Sequence, residues 1–359
     1  RKLLITGCAQ YSLAQCLIFL GGFSTSLGAM SKVLSQLDTR ILIAPMAGGP
    51  STPELVTAAD QAGSFGFLGV GAMSVAQAQE LIDGMGDGVR YGVNLFAPQD
   101  PLEITAEVRE FHQLLQREYG VAEALPEPDY TNGWEGKLEA VLGAQNPPAV
   151  VSSTFGCFSS AEIRRLHDAG IEAWVTVTTV EDALSAQDAG ADVLVVQGPA
   201  AGGHRGTWSV EEQPSGLGLG DLIETMSLAG VNAQLVASGG VRNADDAHEL
   251  LRLPRVKAVS CGSAFLLADE AGTSEFNRRL LRAGGETVAS RAFSGRVARG
   301  LETEFSRAHG DDVPAMYPLL NQLLAPLRGR EDERVAYCLV GEDVDKIGQG
   351  SVADILDKL

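Results

Sequence analysis

The chain has 359 residues, and 45% of them are hydrophobic, which is enough to bury a substantial core. Its formal net charge of −19 argues against nucleic acid as a partner, because phosphate binding needs clustered Lys and Arg. Five cysteines are scattered without a Cys-x-x-Cys pair, which disfavours disulfides and zinc and favours a reducing, cytoplasmic compartment. No segment reaches about 18 uninterrupted apolar residues, so no membrane-spanning helix is expected.

The beginning of the chain differs from the remainder. Residues 3–20 are mildly apolar, as in a signal peptide, but Gln10 and Gln15 interrupt the apolar run. Met30 then begins a sequence that reads like an ordinary start. We therefore expect residues 1–30 to form an N-terminal extension outside the catalytic fold.

Short apolar runs typical of buried strands recur along the chain and are separated mostly by amphipathic, helical patterns. Several of these helical patterns end in Ala-Gly, and glycine just past a helix is a common left-handed cap. Eight such strands alternating with helices favour a (β/α)8 TIM barrel, with a doubly wound open sheet as the alternative. The strands are expected at Ile41–Pro45, Gly66–Val70, Tyr91–Leu95, Ala149–Ser153, Ala173–Val177, Val193–Gln197, Gln234–Ala237 and Val256–Cys261.

Two long stretches interrupt this alternation. Ala97–Pro148 is rich in proline and is expected to hold two helices and a loop between the third and fourth strands. The segment that follows the eighth strand is expected to form a small helical cap. The predicted organisation is therefore a barrel over residues 31–285, a helical cap or insertion over 286–343 and a closing helix over 344–359.

Active sites of this fold lie at the carboxyl ends of the strands. None of the residues expected there is Asp, Glu or Lys, so the reagents of glycosidases, Schiff-base aldolases and metal hydrolases are missing. Neutral hydrogen-bonding groups and glycine suit instead a cofactor that supplies its own chemistry. The strand-end residues are Met46, Gly71, Asn94, Ser152, Thr178, Gln197, Gly239 and Cys261.

A glycine-rich loop, Gly198–Gly206, follows the sixth strand and contains His204. The ordinary pKa range of histidine suits a general base near neutrality, and the alternative is an exposed loop histidine. Gln197, just before the loop, offers both a donor and an acceptor. The other histidines lie on helical or linker patterns and are expected at the surface: His112, His167, His248 and His309.

Two further glycine loops follow the seventh and eighth strands, Ser238–Val241 and Cys261–Ser263. In barrels these two loops commonly bind phosphate through backbone N–H groups, whereas either loop alone would be compatible with a plain tight turn. The Ser263 hydroxyl is a candidate additional contact. Cys261 has no basic neighbour in sequence, so a packing role is expected for its thiol.

Together these motifs resemble the nitronate monooxygenase family. The resemblance extends from about Asp38 almost to the end of the chain. It implies an FMN-bearing TIM barrel with a smaller C-terminal helical domain that oxidises alkyl nitronates with O2 to a carbonyl compound and nitrite. The matching stretches are Ala44–Pro53 (APMAGGPSTP), Gly92–Phe96 (GVNLF), Gln197–Gly206 (QGPAAGGHRG), Ala237–Val241 (ASGGV), Gly262–Phe265 (GSAF), Ser290–Gly300 (SRAFSGRVARG) and Tyr317–Arg328 (YPLLNQLLAPLR).

The resemblance also implies individual roles. His204 matches the family's catalytic histidine, and Arg205 beside it is a second candidate partner for the nitro oxygens. The family usually has Thr where Ser263 stands and Gln where Ser260 stands, which affects the details of phosphate binding. The implied flavin contacts are Met46, Ala47, Asn94, Gln197, Gly202, Gly203, Gly239, Gly240, Gly262 and Ser263.

Two other functions are compatible with the same motifs. A flavin-dependent enoyl-acyl-carrier-protein reductase shares the barrel and the Gly-Gly-His loop but would need NAD(P)H and a pocket for an acyl chain. A flavin-binding protein without turnover would bind FMN and consume no oxygen with any nitronate.

Overall fold

The computed structural model describes residues 30–359 and contains a closed barrel of eight parallel strands. The first strand pairs with the second and also with the last, which closes the barrel, so the (β/α)8 prediction is confirmed and the open-sheet alternative is wrong. The barrel strands are β1 (Ile41–Ile43), β2 (Phe65–Gly69), β3 (Gly92–Phe96), β4 (Val150–Thr154), β5 (Glu172–Val177), β6 (Val193–Gln197), β8 (Gln234–Ser238) and β9 (Val256–Cys261).

Helices between consecutive strands cover the outside of the barrel. Most begin at a Ser, Thr or Asn cap, and Ser74 and Ser159 form capping boxes with the residue three positions later. The two helices expected between the third and fourth strands are present as α4 and α5. The helices are α1 (Lys32–Ser35), α2 (Pro53–Gln61), α3 (Val75–Asp83), α4 (Ala106–Tyr119), α5 (Trp134–Leu142), α6 (Ser160–Asp168), α7 (Val180–Ala189), α8 (Leu219–Leu228), α9 (Ala244–Leu250), α10 (Glu275–Ala283), α11 (Glu304–His309), α12 (Leu319–Arg328) and α13 (Val352–Leu356).

The interior of the barrel changes character along its axis. Towards the amino ends of the strands it is filled by aromatic rings, with centroids 5.2 Å apart for Phe65 and Phe67 and 5.7 Å apart for Phe67 and Trp174. Towards the carboxyl ends the inward positions carry neutral polar groups such as Asn94 and Gln197. The apolar layer closes the amino end of the barrel. The polar layer lies next to it, towards the carboxyl ends of the strands.

The amino end of the barrel is closed by α1, which is anchored on the carboxylate of Glu172 in β5. This carboxylate accepts hydrogen bonds from Ser31 Oγ at 2.6 Å, from the backbone N–H of Lys32 at 2.7 Å and from Trp174 Nε1 at 3.0 Å. A carboxylate at a helix N-terminus satisfies N–H groups that have no partner inside the helix. The residues of the predicted 1–30 extension that precede Met30 lie outside the described residues.

The segment after the barrel is not purely helical as expected. Two strands, β11 (Thr287–Ser290) and β12 (Ala298–Leu301), form an antiparallel hairpin, and β12 also pairs with β7 (Gly203–His204) from the glycine-rich loop. The helical expectation for residues 286–343 is therefore corrected to a hairpin followed by α11 and α12. The pairing with β7 explains the hairpin, because an isolated two-stranded ribbon is only marginally stable.

The expected closing helix over 344–359 is also shorter than predicted. Its α-helical part, α13, covers only Val352–Leu356 and follows a 3-10 turn at Val344–Lys346 and the short strand β13 (Gln349–Gly350). This strand pairs in parallel with β10 (Leu267–Ala268), so the chain returns to the barrel as a strand before the helix begins.

A second hydrophobic cluster lies outside the barrel, between α4 and the helices α11 and α12. His112 is buried there with Nε2 2.8 Å from the Ala122 carbonyl oxygen, and His309 packs against Phe305 with ring centroids 5.1 Å apart. The expectation of a surface position is therefore wrong for His112, whereas His309 is partly buried. Within the described residues no helix has the length and apolarity needed to span a membrane.

We predict that Glu172→Gln lowers the free energy of unfolding by about 1–3 kcal/mol, because four donors, including the Val33 backbone N–H at 3.2 Å, lose a charged acceptor. Urea unfolding at neutral pH measures the change. Glu135→Gln is the matched control, since the Glu135–Arg165 pair is exposed and should contribute little. Equal effects of the two substitutions would show that the Glu172 anchor adds no more than an ordinary surface pair.

Candidate functional site

A cavity of about 330 Å³ opens at the carboxyl ends of the barrel strands. Every residue assigned a site role from the family resemblance, except Arg205, lines it: Met46, Ala47, Asn94, Gln197, Gly202, Gly203, His204, Gly239, Gly240, Gly262 and Ser263. Three of the expected strand-end residues, Gly71, Ser152 and Thr178, are not part of its lining. The structure thus brings the candidate residues together, and their individual roles stay predictions.

His204 lies on β7, and its position is fixed by partners on both its backbone and its ring. Its ring Nε2 is 2.7 Å from Ser294 Oγ, and its carbonyl oxygen accepts a hydrogen bond from Gln197 Nε2 at 2.9 Å. The ring is surrounded by Tyr317 at 5.4 Å, Phe155 at 5.8 Å and Tyr337 at 6.4 Å between centroids. His204 is therefore held in an aromatic wall, and the alternative of an exposed loop histidine is wrong.

The electrostatic environment keeps His204 neutral. Burial is the main cause that lowers the pKa of its ring from 6.5 to about 3, and the nearby guanidinium groups of Arg296 and Arg328 act in the same direction. A histidine in such a place is uncharged at neutral pH, so it enters any reaction as a hydrogen-bonding group with one free lone pair.

Close backbone contacts shape the loop that carries His204. A Cβ atom at Gly202 would overlap the backbone of Val340 and Gly341, so only glycine fits there. The Gln197 side chain holds the loop from below, since its Oε1 accepts from the Gly206 N–H at 2.8 Å while its Nε2 donates to His204. Gln197 therefore braces the loop as well as lining the cavity.

Neutral side chains of β3, β4 and β5 form the floor of the cavity. The Asn94 amide nitrogen donates to Ser152 Oγ at 2.9 Å and to Thr154 Oγ1 at 3.1 Å, and Thr154 Oγ1 lies 3.4 Å from Thr176 Oγ1. The Asn94 oxygen is left as the end available to a ligand. Thr178 follows the last residue of β5, Val177, and its hydroxyl instead lies 3.4 Å from Asp182 and outside the cavity lining, whereas Thr176, within the strand, faces the cavity.

The glycines of the loops after β8 and β9 leave room for a ligand beside the backbone. A Cβ at Gly239 would lie 2.7 Å from that of Ala201, so a larger residue would fill the loop. Among the residues described, the amide N–H groups of Gly239, Gly240, Gly262 and Ser263 donate no hydrogen bond to another protein group. Ser263 Oγ accepts from the Gly341 N–H at 2.8 Å and keeps its own proton to donate. Such a ring of free donors suits an anionic group like phosphate.

Arg205 is not placed as expected. Its side chain is 3% exposed and does not line the cavity, and its three guanidinium nitrogens have no hydrogen-bond partner within residues 30–359. Neighbouring residues of a strand point to opposite sides, so His204 facing the cavity turns Arg205 away from it. Direct contact between Arg205 and a substrate in the cavity is therefore excluded by this geometry.

Sequence reasoning missed the aromatic wall and the partner of His204. Phe155 follows β4 directly, whereas Ser294, Tyr317 and Tyr337 come from the segment after the barrel. Their positions depend on the pairing of β7 with β12, which no local pattern reveals. The stretches Ser290–Gly300 and Tyr317–Arg328, which match the family, contain Ser294 and Tyr317 and are the sequence signal for two of these residues.

The thiol of Cys261 lines the cavity but is buried, and burial raises its pKa to about 12. A thiol that stays protonated is a poor nucleophile, which agrees with the packing role expected for it. Across the described part of the chain, no group of three or more His, Cys, Asp or Glu side chains is arranged to hold a metal ion.

Comparisons with known proteins agree with this geometry. The sequence model of the family described as "Nitronate monooxygenase" matches residues 31–358. A probable nitronate monooxygenase of Staphylococcus saprophyticus is 33% identical over 308 residues, covering 80% of this chain and 83% of the relative. A probable nitronate monooxygenase of Staphylococcus aureus (strain MSSA476) is 30% identical and covers 83% of this chain and 85% of its own length.

Solved structures give the same result. Nitroalkane oxidase from Streptomyces ansochromogenes superposes with a TM-score of 0.82 at 32% identity, covering 91% of this chain and 96% of that one. FabK from Thermotoga maritima shares the fold at 21% identity, with a TM-score of 0.67 and coverage of 90% and 92%. The barrel, the cavity and these likenesses define a flavin-dependent oxidoreductase. The chain belongs to the nitronate monooxygenase family.

We predict that Gly202→Ala lowers the free energy of unfolding by about 1–3 kcal/mol and reduces the amount of flavin retained on purification, since the backbone of 340–341 must move. Urea unfolding and the visible absorbance of the purified protein measure both effects. Gly216→Ala is the control, because a Cβ there meets nothing within 4 Å and its φ is not left-handed. A Gly202→Ala protein as stable and as yellow as the control would contradict the close contact.

The lowered pKa of His204 has a consequence for acid stability. Below pH 6.5 the unfolded chain binds a proton at this residue that the native state does not bind until about pH 3, so stability is lost as the pH falls. When the pH is lowered from 7 to 5, the free energy of unfolding of the His204→Asn protein should therefore fall by about 2 kcal/mol less than that of the unsubstituted protein. Urea unfolding at both pH values tests this, with the exposed His248→Asn as control. Identical losses in all three proteins would show that native His204 titrates normally.

Proposed function

We propose that this protein oxidises alkyl nitronates with O2 to a carbonyl compound and nitrite, using FMN. The observation that carries the proposal is a neutral histidine whose ring contacts Ser294 and three aromatic side chains, in a cavity that also contains a ring of free backbone donors. Family membership and the 32% identical nitroalkane oxidase structure support it.

The residues present fit FMN. The free N–H groups of Gly239, Gly240, Gly262 and Ser263 would hold the phosphate, and the small residues of the loop after β1, such as Ala47, would lie along the ring system. One phosphate cradle favours the mononucleotide, since the sequence has no dinucleotide-binding fingerprint. When bound, FMN supplies the electron transfer from substrate and to O2 that the protein side chains do not provide.

The state of His204 favours an already ionised substrate. The Ser294 hydroxyl has the Arg296 carbonyl as an acceptor at 3.3 Å, so we assign it as the acceptor of His204 Nε2–H, which leaves the Nδ1 lone pair as the basic position of the ring. A base whose pKa lies near 3 removes a proton from carbon only at a large energetic cost. With a nitronate the proton is already gone, and His204 serves to bind and orient the anion.

The wall around His204 completes the site for a small nitronate. The Tyr317 and Tyr337 side chains and the amide of Asn321 line the same part of the cavity and offer neutral hydrogen-bond donors for the two nitro oxygens. Phe96 and Phe155, with ring centroids 4.6 Å apart, give an apolar surface for a short alkyl group and exclude water.

The proposal is tested on the purified protein. Heat release followed by chromatography should yield FMN, and oxygen uptake with nitrite formation should follow the addition of preformed ethyl and propyl nitronates. Recovery of FAD, or of no flavin, contradicts the cofactor assignment. Rapid bleaching of the flavin by NADH without a nitronate would instead support the enoyl reductase alternative, and FMN without oxygen uptake would support a non-catalytic flavin protein.

His204→Asn separates the two roles of the histidine. We expect the variant to retain FMN and to lose similar factors in kcat/KM on neutral nitroalkanes and on preformed nitronates, because a ring with a pKa near 3 orients the anion and is a poor base toward carbon. His248→Asn, at the surface, should leave both rates unchanged. A loss of about 10²–10⁴-fold confined to neutral nitroalkanes would instead show that His204 is the general base.

A further inference from the structure

Two arginines behind the aromatic wall carry charge that no carboxylate neutralises at close range. The Arg296 guanidinium lies over the Phe155 ring at 4.1 Å and over the Tyr317 ring at 5.4 Å, and the Arg328 guanidinium lies over the Tyr337 ring at 4.7 Å. All three rings line the cavity beside His204. Neither arginine lines the cavity itself, so each charge lies behind side chains that do.

The hydrogen bonds of Arg296 all go to neutral acceptors. Its Nη1 donates to the Thr207 carbonyl oxygen at 2.7 Å, to Thr207 Oγ1 at 3.1 Å and to the Ser209 carbonyl oxygen at 3.3 Å, and its Nη2 donates to Gln99 Oε1. The side chain is only 1% exposed. Glu211 and Glu212 favour its charged form from a distance, but neither lies within 4 Å of it.

Arg328, which is only half-buried, also makes its hydrogen bonds to neutral acceptors. Its donors reach the Val335 carbonyl oxygen at 2.9 Å, Asn321 Oδ1 at 2.5 Å and the Phe293 carbonyl oxygen at 2.8 Å, again without an ion pair in the described residues. Removing charges from water without pairing them is costly, so their retention indicates that another negative charge compensates them. The cavity beside the rings is the place left for it.

We propose that Arg296 and Arg328 are positioning residues that make the cavity select the anionic, planar form of its substrate over the neutral acid. The inference rests on the proposed function and adds the residues that determine its specificity. The rings keep both guanidinium groups from contacting the substrate, so they act through the field that they create, while His204 and the tyrosines make the direct hydrogen bonds. Each charge interacts with the cavity through packed side chains. The interaction energy between two charges is larger there than in bulk water.

The test compares two ligands with the same skeleton. Isobutyrate has a planar pair of oxygens that share one negative charge, as a nitronate does, and isobutyramide is its neutral counterpart. Titration of each into the flavin-loaded protein, followed by the change in the visible flavin spectrum, gives the two dissociation constants. We expect the unsubstituted protein to bind isobutyrate more tightly and Arg296→Met to reduce the ratio of the two affinities roughly 10-fold.

A purely structural role for Arg296 predicts a different result. Arg296 joins three loops through the planar set of donors on its guanidinium group. A lysine at this position would keep the charge but would lack this planar set of donors. Arg296→Lys should therefore retain the preference for isobutyrate if the charge matters, whereas a structural clamp would fail equally with Lys and Met. The pair Arg328→Lys and Arg328→Met repeats the comparison if Arg296→Met does not fold, and the exposed Arg330→Met is the control for loss of a charge nearby.

The outcomes separate this inference from the proposed function. A preference for isobutyrate that survives Arg296→Met and Arg328→Met overturns the inference, and so does an unsubstituted protein that binds both ligands equally or binds neither. A charge-dependent preference in a protein that takes up no oxygen with nitronates would support the inference and contradict the proposed function.

Discussion

The site depends on a pairing between two short pieces of chain far apart in sequence. Strand β7, in the loop after β6, pairs antiparallel with β12, so that His204 lies opposite Ala298, and the Arg205 N–H donates to the Val297 carbonyl oxygen at 2.8 Å. This pairing brings Ser294 and Arg296 beside the histidine. It also sets which face of β7 looks into the cavity, which turns His204 inward and Arg205 outward. Without it, the barrel would stand but its active face would lack a wall.

The contribution of burial to the chemistry follows from that wall. His204 is surrounded by rings and flanked by guanidinium groups, so the proton that an ordinary histidine carries below pH 6.5 is excluded. A weak base is a poor choice for removing a proton from carbon but a suitable neighbour for an anion. Under the proposed function, the same surroundings would disfavour the neutral acid and favour its anion.

The barrel was readable from the sequence because each of its strands is a separate apolar run, and each run is closed by a local turn signal. The glycine loops were readable because they are glycine-rich motifs directly after apolar strands, although the contact that requires glycine at Gly202 comes from the distant residues 340–341. Thr178 was the wrong choice at the end of β5, because it lies one residue beyond Val177, where the strand has ended and its alternation no longer sets the side-chain direction. The hairpin after the barrel could not be read locally, because β11 and β12 are stabilised only by a partner in another part of the chain. Tyr317 and Tyr337 were out of reach for the same reason.

The hydrophobic cluster outside the barrel has a consequence for chimeras made between relatives. Its core joins Phe111 and Leu115 of α4, from the insertion between β3 and β4, to Leu320 and Leu324 of α12, near the end of the chain. The part of the molecule that covers the active face is thus encoded in two separate stretches that pack as one unit. Exchanging only one stretch would join two surfaces that were not selected to fit each other. Recombination that transfers both stretches together, and leaves the barrel between them untouched, is the exchange that preserves the packing.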